Sequence, residues 1–574
     1  MAIDLEKALK SAYPKLFEKY PKFITSAFVA LFKWLFCQDF FNAFIREHCE
    51  KDGISFSNAV LERFNFRYFV DEEDIANIPE NGKAIFISNH PLGALDSLSL
   101  VSLIGRVRPD VRILANELLY KIKPLQNILL PIDNVTGKSA KESVRLIMQA
   151  LKDEEAIIIF PAGEVSRLGL TGIKDGAWKE GFLRFAKRAQ APIIPIHIKG
   201  RNSWLFYAVS LIYKPMAALL LAHEMFANRN RSIRIKVGEM IPCENLTSRE
   251  IEPRTEIMLL KKHLYALGRK KQGIFRTQKC IAHAQNPLDV RKEILQAERL
   301  GKTRDHKSIY LASCKTKTPL LHEIGRLREL SFRKVGEGTG RRADIDSYDF
   351  TYRHLILWDE ESCEIIGAYR VGESEYLRNL PQKSPFYTQT LFDFHAGSEY
   401  LLTRSIELGR SFVQPKFWGS RALDYLWYGI GAYLRKYPKT RYLFGPVSLS
   451  ASYPKAAREM IIFFYKHYFG GKEGIVSSKN RYLFTKQEEQ ECSRLFSGGS
   501  YEADLKTLKE QLAHFGLSIP TLYKQYSELC EKGGVQFLDF GIDRDFESCI
   551  DGFIVIEVDK IKPSKRERYI NEPK

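Results

Sequence analysis

Between residues 81 and 200, short apolar runs alternate with longer amphipathic stretches, and this alternation constrains the fold more than any other feature. The apolar runs read KAIFIS, DVRILA, AIIIFPA and APIIPIHI. The amphipathic stretches include KSAKESVRLIMQALKD and GAWKEGFLRFAKRAQ, whose spacing is typical of helices that cover a sheet. Strands that alternate with helices predict an α/β architecture. At 574 residues the chain is too long for one ordinary core, so we expect a second domain.

The second half of the chain follows a different order. From about residue 308 it reads as a strand, a helix, antiparallel strands, and then a strand, a helix and a strand, ending in RYLFGPVSLS. This order predicts an α+β domain with a central splayed sheet. We therefore predict four regions: a helical N-terminal segment over 1–60, an α/β domain over 61–270, a polar linker over 271–305 and an α+β domain over 306–574.

Charge and cysteine content restrict the partners and the compartment. The formal net charge of +18 favours an anionic partner such as nucleic acid, a lipid surface or an acidic carrier protein. The basic residues are dispersed and no recognition motif accompanies them, which argues against nucleic acid. The nine cysteines form no C-x-x-C pair, so the sequence suggests neither a zinc site nor a disulfide framework and favours a reducing, cytoplasmic compartment.

Two apolar stretches, 23–41 and 203–225, come closest to membrane segments. Lys33 interrupts the first, and Lys214 and Pro215 interrupt the second, so neither has the roughly 20 uninterrupted apolar residues of a spanning helix. Helices that lie in the lipid interface fit these stretches, and helices in a soluble core are the alternative. We expect a protein that is peripheral on the inner face of the bacterial cytoplasmic membrane.

The stretch FISNHPLGALDSLSL places His90 and Asp96 just after an apolar strand. On a straight helix the two would lie about 240° apart, so the chain must bend between them, and Pro91 and Gly93 permit such a bend. A carboxylate bonded to one imidazole nitrogen leaves the other nitrogen as a base that can activate a substrate hydroxyl. The alternative is that His90 caps a helix and Asp96 lies on its solvated face.

Two further segments follow the next strands: FPAGEVSR at 160–167, and APIIPIHIKGRNS, which runs to Ser203. Together these pieces resemble the glycerolipid acyltransferase family over about residues 66–202. The spacing H-x5-D differs from the family's H-x4-D, and Ala162 replaces a glutamate, which weakens the case for a glycerophosphate acceptor. NHPLGALD and FPAGEVSR look like the hemolysin-like branch found among amino-acid-containing lipid synthases.

This resemblance implies a catalytic pair, His90 and Asp96, and direct acyl transfer from a thioester to a hydroxyl. Backbone N–H groups near Gly163 could hold the oxyanion, and Arg167 could pair with an anionic group. A mutual salt bridge between Glu164 and Arg167 is equally compatible with the sequence. The substrate-binding candidates in this domain are Gly163, Glu164, Arg167 and Asn202.

In the second domain, ELGRSFVQPKFWGSRALDYLWYGIGAYL (407–434) ends a strand in a turn and begins a helix, where a cofactor phosphate can meet a helix N-terminus. With IIFFYKHYFGG (461–471), it resembles the N-acetyltransferase superfamily over about 308–483, and more narrowly the N-acyltransferases that make ornithine lipids. The resemblance implies Tyr465 as a general acid, with a core aromatic as the alternative. Amide formation needs a neutral amine, so Glu407 is the candidate base, with an ion pair to Arg404 or Arg410 as the alternative.

The phosphate-binding loop departs from the superfamily pattern. It reads WGSRAL, so Arg421 and Leu423 stand where later glycines are usual, and only Gly419 remains. Side chains there would crowd the diphosphate of coenzyme A. The single phosphate of an acyl carrier protein fits better, and the positive net charge suits an acidic carrier. The substrate-binding candidates here are Arg410, Gly419 and Arg421.

The two halves make chemical sense in series, as in bifunctional ornithine-lipid synthases. The second domain would attach a 3-hydroxyacyl chain to the α-amine of ornithine, glycine or another amino acid, and the first would acylate the hydroxyl of that chain. No bound cofactor or metal is expected, and the donor would be an acyl carrier protein or coenzyme A thioester. The alternatives are a lysophospholipid acyltransferase with a divergent second domain and a non-catalytic, hemolysin-like membrane-binding protein.

Overall fold

The computed structural model describes residues 6, 21–35, 37–120, 122–132, 140–169, 172–212, 220–247, 251–381, 385–496 and 499–571. The chain divides into two compact units, Met1–Cys280 and Ile281–Lys574. Each unit is built around its own sheet.

The described strands of the first unit form a seven-stranded sheet of order β1-β9-β8-β2-β5-β3-β4 and a separate β6–β7 hairpin. Within the large sheet all neighbours are parallel except β8 and β9. The strands are β1 (Arg67–Phe69), β2 (Ala84–Ser88), β3 (Val111–Asn116), β4 (Leu129–Ile132), β5 (Ala156–Ile159), β6 (Arg167–Gly169), β7 (Gly172–Lys174), β8 (Ile193–Lys199) and β9 (Ser232–Val237).

Helices cover both faces of this sheet, which explains why β2 and β5 are buried at every position and, apart from Ser88, apolar. One core cluster joins Phe86 to α5, and another joins Ile85 to α7, α8 and α12. The helices are α1 (Lys22–Leu35), α2 (Gln38–Glu47), α3 (Gly53–Arg63), α4 (Glu72–Ile75), α5 (Ala94–Gly105), α6 (Glu117–Tyr120), α7 (Ala140–Lys152), α8 (Gly181–Ala189), α9 (Trp204–Ile212), α10 (Leu221–Ala227), α11 (Cys243–Thr247) and α12 (Pro253–Leu267).

The described strands of the second unit form an eight-stranded sheet of order β10-β11-β12-β13-β15-β16-β19-β18 and a β14–β17 pair. The strands are β10 (Glu298–Lys302), β11 (Ser308–Ser313), β12 (Arg353–Asp359), β13 (Glu364–Glu373), β14 (Phe392–Phe394), β15 (Ser405–Val413), β16 (Tyr442–Leu449), β17 (Val476–Ser478), β18 (Val535–Asp543) and β19 (Cys549–Glu557). The helices are α13 (Pro287–Ile294), α14 (Pro319–Lys334), α15 (Ser374–Leu377), α16 (Thr388–Leu391), α17 (Ala422–Lys436), α18 (Lys455–Phe469), α19 (Lys486–Leu495), α20 (Tyr501–His514), α21 (Thr521–Ser527) and α22 (Pro563–Tyr569).

The splay predicted for this sheet lies between β15 and β16. These strands pair in parallel only over Ser405–Glu407 and Tyr442–Phe444, after which β15 continues along β13 and β16 along β19. Gly445 sits at the point of separation, where any β-carbon would collide with the carbonyl of Leu408. The absence of a side chain at Gly445 therefore lets the two strands meet before they diverge.

The predicted linker, 271–305, needs correction in part. Residues Pro287–Ile294 form helix α13, and Glu298–Lys302 form β10, which pairs antiparallel with β11 in the second unit. The polar composition that suggested a linker reflects an edge strand and a surface helix, since only Val290 and Ile294 of α13 are buried. Edge strands commonly carry charged residues because one side of their backbone faces solvent.

The two apolar stretches form separate helices. The first covers α1 and the start of α2, with Phe36 outside the described residues, and the second covers α9 and most of α10. Residues 213–219, which include Lys214 and Pro215, also lie outside the described part. Among the helices that are described, none is both long enough and apolar enough to cross a bilayer.

Candidate active sites

His90 and Asp96 lie side by side where β2 ends and α5 begins. Nδ1 of His90 is 3.3 Å from Oδ2 of Asp96. The bend occurs at Gly93, whose φ of 97° lies in the region that favours glycine. The Asp96 carboxylate turns back toward the start of its own helix and accepts hydrogen bonds from the backbone N–H groups of Leu92 (2.6 Å) and Gly93 (3.2 Å). The spacing H-x5-D therefore brings the two side chains together.

Their environments differ in solvent access. Asp96 is completely buried, whereas the side chain of His90 keeps 16% of its surface exposed. Burial raises the pKa of Asp96, while the His90 imidazole and the two backbone N–H groups favour the charged carboxylate. A buried carboxylate can fix the orientation of the imidazole, and the exposed edge of the ring can meet a substrate.

The backbone of His90 is fixed by Asp175, a residue that the sequence analysis did not single out. Oδ1 of Asp175 accepts hydrogen bonds from the N–H of His90 (3.2 Å) and the hydroxyl of Ser166 (2.5 Å), and Oδ2 accepts one from the indole of Trp178 (3.0 Å). The N–H of Ser166 in turn donates to the carbonyl of His90 at 2.7 Å. Asp175 thus joins the end of β2 to the FPAGEVSR segment.

His90 also lines a cavity of this unit that is about 750 Å³ in volume. Its ring stacks on Phe160, with centroids 3.9 Å apart and planes 26° apart. Beyond these two rings the wall is formed mainly by apolar side chains of α2, α3, α5, α8 and α10, such as Phe44 and Met225. A deep apolar cavity with a histidine at its wall suits a fatty acyl chain whose reactive end meets the imidazole.

The predicted substrate-binding residues of this unit occupy different places. Gly163 and Glu164 line the cavity, and Gly163 has a φ of 67°. The N–H of Gly163 donates to the carbonyl of Phe160 at 3.0 Å, so this amide is already occupied. Glu164 forms a salt bridge with Arg167, with 3.1 Å between Oε2 and Nε, as in the alternative that the sequence also allows. Asn202 is buried behind His90, where its amide donates to the carbonyl of Pro91 at 3.2 Å.

In the second unit, Glu407 lies on β15 and is fully buried. Its carboxylate accepts hydrogen bonds from the hydroxyl of Tyr352 and from the N–H of Thr388 at 2.8 Å. Burial raises the pKa of Glu407, and the bond from Tyr352 opposes that shift. No ion pair joins Glu407 to Arg404 or Arg410 among the described residues, so the structure does not show the alternative of an ion pair for Glu407.

Arg410 belongs instead to a buried network of charges. It adopts a φ of 47°, its Nε lies 3.1 Å from Asp344, and its Nη1 donates to the hydroxyl of Tyr387 at 3.1 Å. Arg370 lies in the same network, where its Nη1 donates to Asp346 at 2.7 Å. Buried charges persist where partners compensate them, and this network lies on the same sheet face as Glu407.

Tyr465 lies in an aromatic core on α18. Its ring packs against Tyr523, Phe537 and Phe469, at centroid distances of 5.0, 5.3 and 5.6 Å. Burial raises the pKa of Tyr465. The tyrosine that contacts Glu407 is Tyr352, so the structure matches the core-aromatic alternative for Tyr465, and its role as an acid stays a prediction.

The loop before α17 exposes the predicted phosphate-binding residues. Gly419 has a φ of 78° and open space around its α-carbon, and Arg421 is exposed at the N-cap of α17. The helix N-terminus and an adjacent cation provide two attractive groups for a phosphate. Their use as a donor site stays a prediction.

A second buried acid of this unit, Asp551 on β19, was also not identified by the sequence analysis. It is directly opposite Ser448 of β16, whose hydroxyl donates to it at 2.7 Å. Burial, together with the charge of Asp543, raises the pKa of Asp551 to about 6. Its partner is 103 residues away in sequence, so no local motif marks the pair.

Replacement of Asp551 by asparagine is expected to stabilise the fold above pH 6. The raised pKa means that the folded protein holds the proton more tightly than the unfolded chain, so wild-type stability falls as pH rises from about 4 to about 6. Ionisation of Asp551 thus lowers the free energy of unfolding at neutral pH by about 3 kcal/mol relative to its value below pH 4. Thermal denaturation across this range measures it, with Asp393→Asn, an exposed site, as control. A stability difference that does not change with pH would contradict the prediction.

Sequence comparisons agree with this division into two units. The family described as "Acyltransferase" matches residues 11–271, and the family described as "Acetyltransferase (GNAT) domain" matches residues 327–428. A glycine N(alpha)-acyltransferase of Bacteroides thetaiotaomicron is 34% identical over 300 residues, which are 49% of this chain and 88% of that protein. A lyso-glycine lipid O-acyltransferase of the same organism is 34% identical over 249 residues, which are 42% of this chain and 89% of that protein. The chain belongs to the acyltransferase family of these two proteins.

This acyltransferase also resembles an L-ornithine N(alpha)-acyltransferase of Brucella abortus, at 28% identity over 156 residues, which are 23% of this chain and 51% of that protein. The comparisons confirm the predicted fold class, an acyltransferase-type α/β domain followed by a GNAT-type α+β domain, and they confirm acyl transfer as the activity. The GNAT match contains Glu407, Arg410, Gly419 and Arg421, and ends before Tyr465.

Proposed function

We propose that this acyltransferase makes a diacylated aminolipid in two successive reactions. The observation that carries the proposal is that a single chain combines similarity to a glycine N-acyltransferase with similarity to a lyso-glycine lipid O-acyltransferase, each over most of the relative's length. In the first reaction the second unit joins a 3-hydroxyacyl group to the α-amine of glycine. In the second reaction the first unit esterifies the hydroxyl of that acyl chain.

In the N-acylation step the amine attacks the carbonyl carbon of a thioester, an amide bond forms and the thiol leaves. The attacking nitrogen loses a proton, and Glu407 is the proposed acceptor because burial raises its pKa above that of an exposed glutamate. The splay between β15 and β16 provides the opening in the sheet for the thioester arm. Glu407 lies at the last paired position before the splay.

In the O-acylation step His90 takes the proton of the acceptor hydroxyl, and the oxygen attacks a second thioester. Asp96 orients the imidazole and stabilises its protonated form. The amide of Gly163 is occupied, but the next two amides, of Glu164 and Val165, donate to no described residue and directly follow this turn. We assign the oxyanion to these two N–H groups, and the thiol leaves with the proton from His90.

We propose an acyl carrier protein as the donor. The loop before α17 offers one glycine and the exposed Arg421 to a phosphate, which fits the single phosphate of a pantetheine arm. The net charge of +18 favours association with an acidic carrier. Parallel assays with acyl carrier protein and coenzyme A thioesters test this choice, and a preference for coenzyme A would exclude it.

Mass spectrometry of lipids from a host that lacks aminolipids tests the whole proposal. Expression of the full chain should yield an N-acyl glycine lipid that carries a second, ester-linked chain. If the product is an ornithine lipid, the acylated amino acid is ornithine and not glycine, and the proposed mechanism is unchanged. New phosphatidate without any aminolipid would instead support a lysophospholipid acyltransferase and overturn the proposal.

We also propose that the chain works at the membrane surface. Trp204 and Ile212, the first and last residues of α9, expose 77% and 87% of their surface, and Leu211 exposes 68%. Exposed apolar residues on one short helix are typical of an interfacial contact. Leu221 packs against Phe206 and Tyr207 of α9 and also lines the acyl cavity, so a membrane contact here would place lipid close to it.

The double variant Trp204→Ser/Ile212→Ser should bind anionic lipid vesicles about tenfold more weakly than wild type, because two large apolar side chains no longer enter the interface. Vesicle sedimentation with phosphatidylglycerol measures the partition coefficient. The pair Leu288→Ser/Leu483→Ser, also exposed but in the second unit, is the control. Equal loss in both double variants would argue against a specific role for α9.

A further inference from the structure

The apolar cavity of the first unit is lined by one lysine, Lys179, which is exposed to solvent. Among the described residues that line it, Lys179 is the sole lysine or arginine and Glu164 is the sole acid. No carboxylate lies within ion-pair distance of the Lys179 ammonium in the part of the chain that the structure describes. No carboxylate of the described residues therefore compensates the charge of Lys179, which leaves this exposed ammonium available to a ligand.

Lys179 is anchored beside the reactive residues. Its backbone N–H donates to the carbonyl of Pro161 at 2.9 Å, which ties it to the FPAGEVSR segment. A β-carbon placed on Gly163 would lie only 3.0 Å from the Lys179 ammonium, so the lysine covers the turn at Gly163. Phe160 begins the same turn and stacks on His90 at 3.9 Å. One four-residue turn thus separates the ammonium from the imidazole.

Glu164 does not neutralise this lysine, because it pairs with another cation. Its Oε2 lies 3.1 Å from Nε of Arg167, and Arg167 also donates to the hydroxyl of Ser210. Because the charges of Glu164 and Arg167 cancel, the charge of Lys179 remains and the cavity wall near His90 is net positive. An anionic group on the substrate would complete the set of charges.

We propose that Lys179 binds the carboxylate of the acceptor lipid during O-acylation, an assignment that rests on the proposed function. An N-(3-hydroxyacyl) amino acid carries one carboxylate, and about six bonds separate it from the hydroxyl that reacts. That reach is roughly 7 Å in an extended chain, comparable to two residues. With the hydroxyl at His90 and the carboxylate at Lys179, the hydrocarbon tail extends into the apolar cavity, and a neutral or cationic head group would be disfavoured.

The test compares two acceptors, N-(3-hydroxypalmitoyl)glycine and its methyl ester, in nonionic detergent micelles with long-chain acyl carrier protein or acyl-CoA as donor. For wild type we expect kcat/KM for the free acid to exceed that for the ester about tenfold or more, because a charged hydrogen bond is lost with the ester. Lys179→Met should remove this preference by raising KM for the acid, with little change in kcat. Lys179→Arg should restore most of the preference.

Lys199→Met is the matched control, because Lys199 is exposed like Lys179 but lies at the end of β8 and is not among the residues described as lining the cavity. It should keep the wild-type preference for the acid. A Lys179→Met protein that still prefers the acid, or that shows a raised KM for the acyl donor alone, would overturn the assignment. If wild type acylated neither acceptor, the proposed function would fail and the assignment would fail with it.

Discussion

Replacement of His90 by alanine is expected to stop O-acylation while N-acylation continues, so that the monoacylated aminolipid accumulates. His90 is the proposed base for the acceptor hydroxyl, and its imidazole is exposed to the cavity while Asp96 behind it is buried. Loss of a general base typically lowers the rate by about 10² to 10⁴. The loss here should lie at the upper end of that range, because a fatty hydroxyl is a weak acid.

Isotope labelling with acetate, followed by mass spectrometry of the lipids, measures both products in one sample. The control is His223→Ala, since His223 is exposed on α10 of the same unit. It should give the wild-type ratio of diacyl to monoacyl lipid. Persistence of the diacyl lipid in His90→Ala cells, without a monoacyl species, would show that another group activates the hydroxyl.

Local sequence patterns were sufficient for the placement of His90 and Asp96. The predicted bend needed only Pro91 and Gly93, and the structure places that bend at Gly93, which has a positive φ. Both residues of the pair belong to one strand-turn-helix segment, so a short stretch determines their distance. The α/β architecture could also be predicted from sequence, because strands that are buried on both faces form almost continuous apolar runs.

The supporting residues could not be predicted in this way. Asp175 contacts the backbone of His90 across 85 residues of chain, and Asp551 contacts Ser448 across 103. Asp175 is an isolated acid in a polar loop, where most aspartates are solvated or form turns, and Asp551 lies within the mostly apolar strand β19. What makes them distinctive is burial and a distant partner, and both are properties of the tertiary structure.

In the second unit, the environment of Tyr465 also could not be predicted from local sequence. The run FFYKHYF supplies several aromatic residues at helical spacing, and the sequence cannot decide which of them faces a substrate. In the structure the Tyr465 ring packs among other aromatic rings, and Tyr352, from the segment before β12, contacts Glu407. Tyr352 had no motif around it that would have indicated this contact.

Glu407→Gln is expected to lower N-acylation by about 10² to 10⁴ and to leave O-acylation of a supplied lyso-aminolipid unchanged. A glutamine cannot take the proton that the attacking amine releases. The two proposed activities are assigned to different compact units, so each serves as an internal reference for the other. Release of thiol from the acyl donor, measured with glycine or with lyso-lipid as the acceptor, separates the two reactions.

A fold defect must be distinguished from loss of the base, because Glu407 also accepts hydrogen bonds from Tyr352 and Thr388. The pH profile makes this distinction. If Glu407 is the base, wild-type kcat/KM falls as the pH drops through its pKa, which burial raises above 4.5, and this limb is absent in Glu407→Gln. A fold defect would lower activity at every pH, and the variant would still show the fall of kcat/KM at low pH. Glu364→Gln, at the start of β13, is the matched control and should behave as wild type, since Glu364 pairs with Lys416 near the surface.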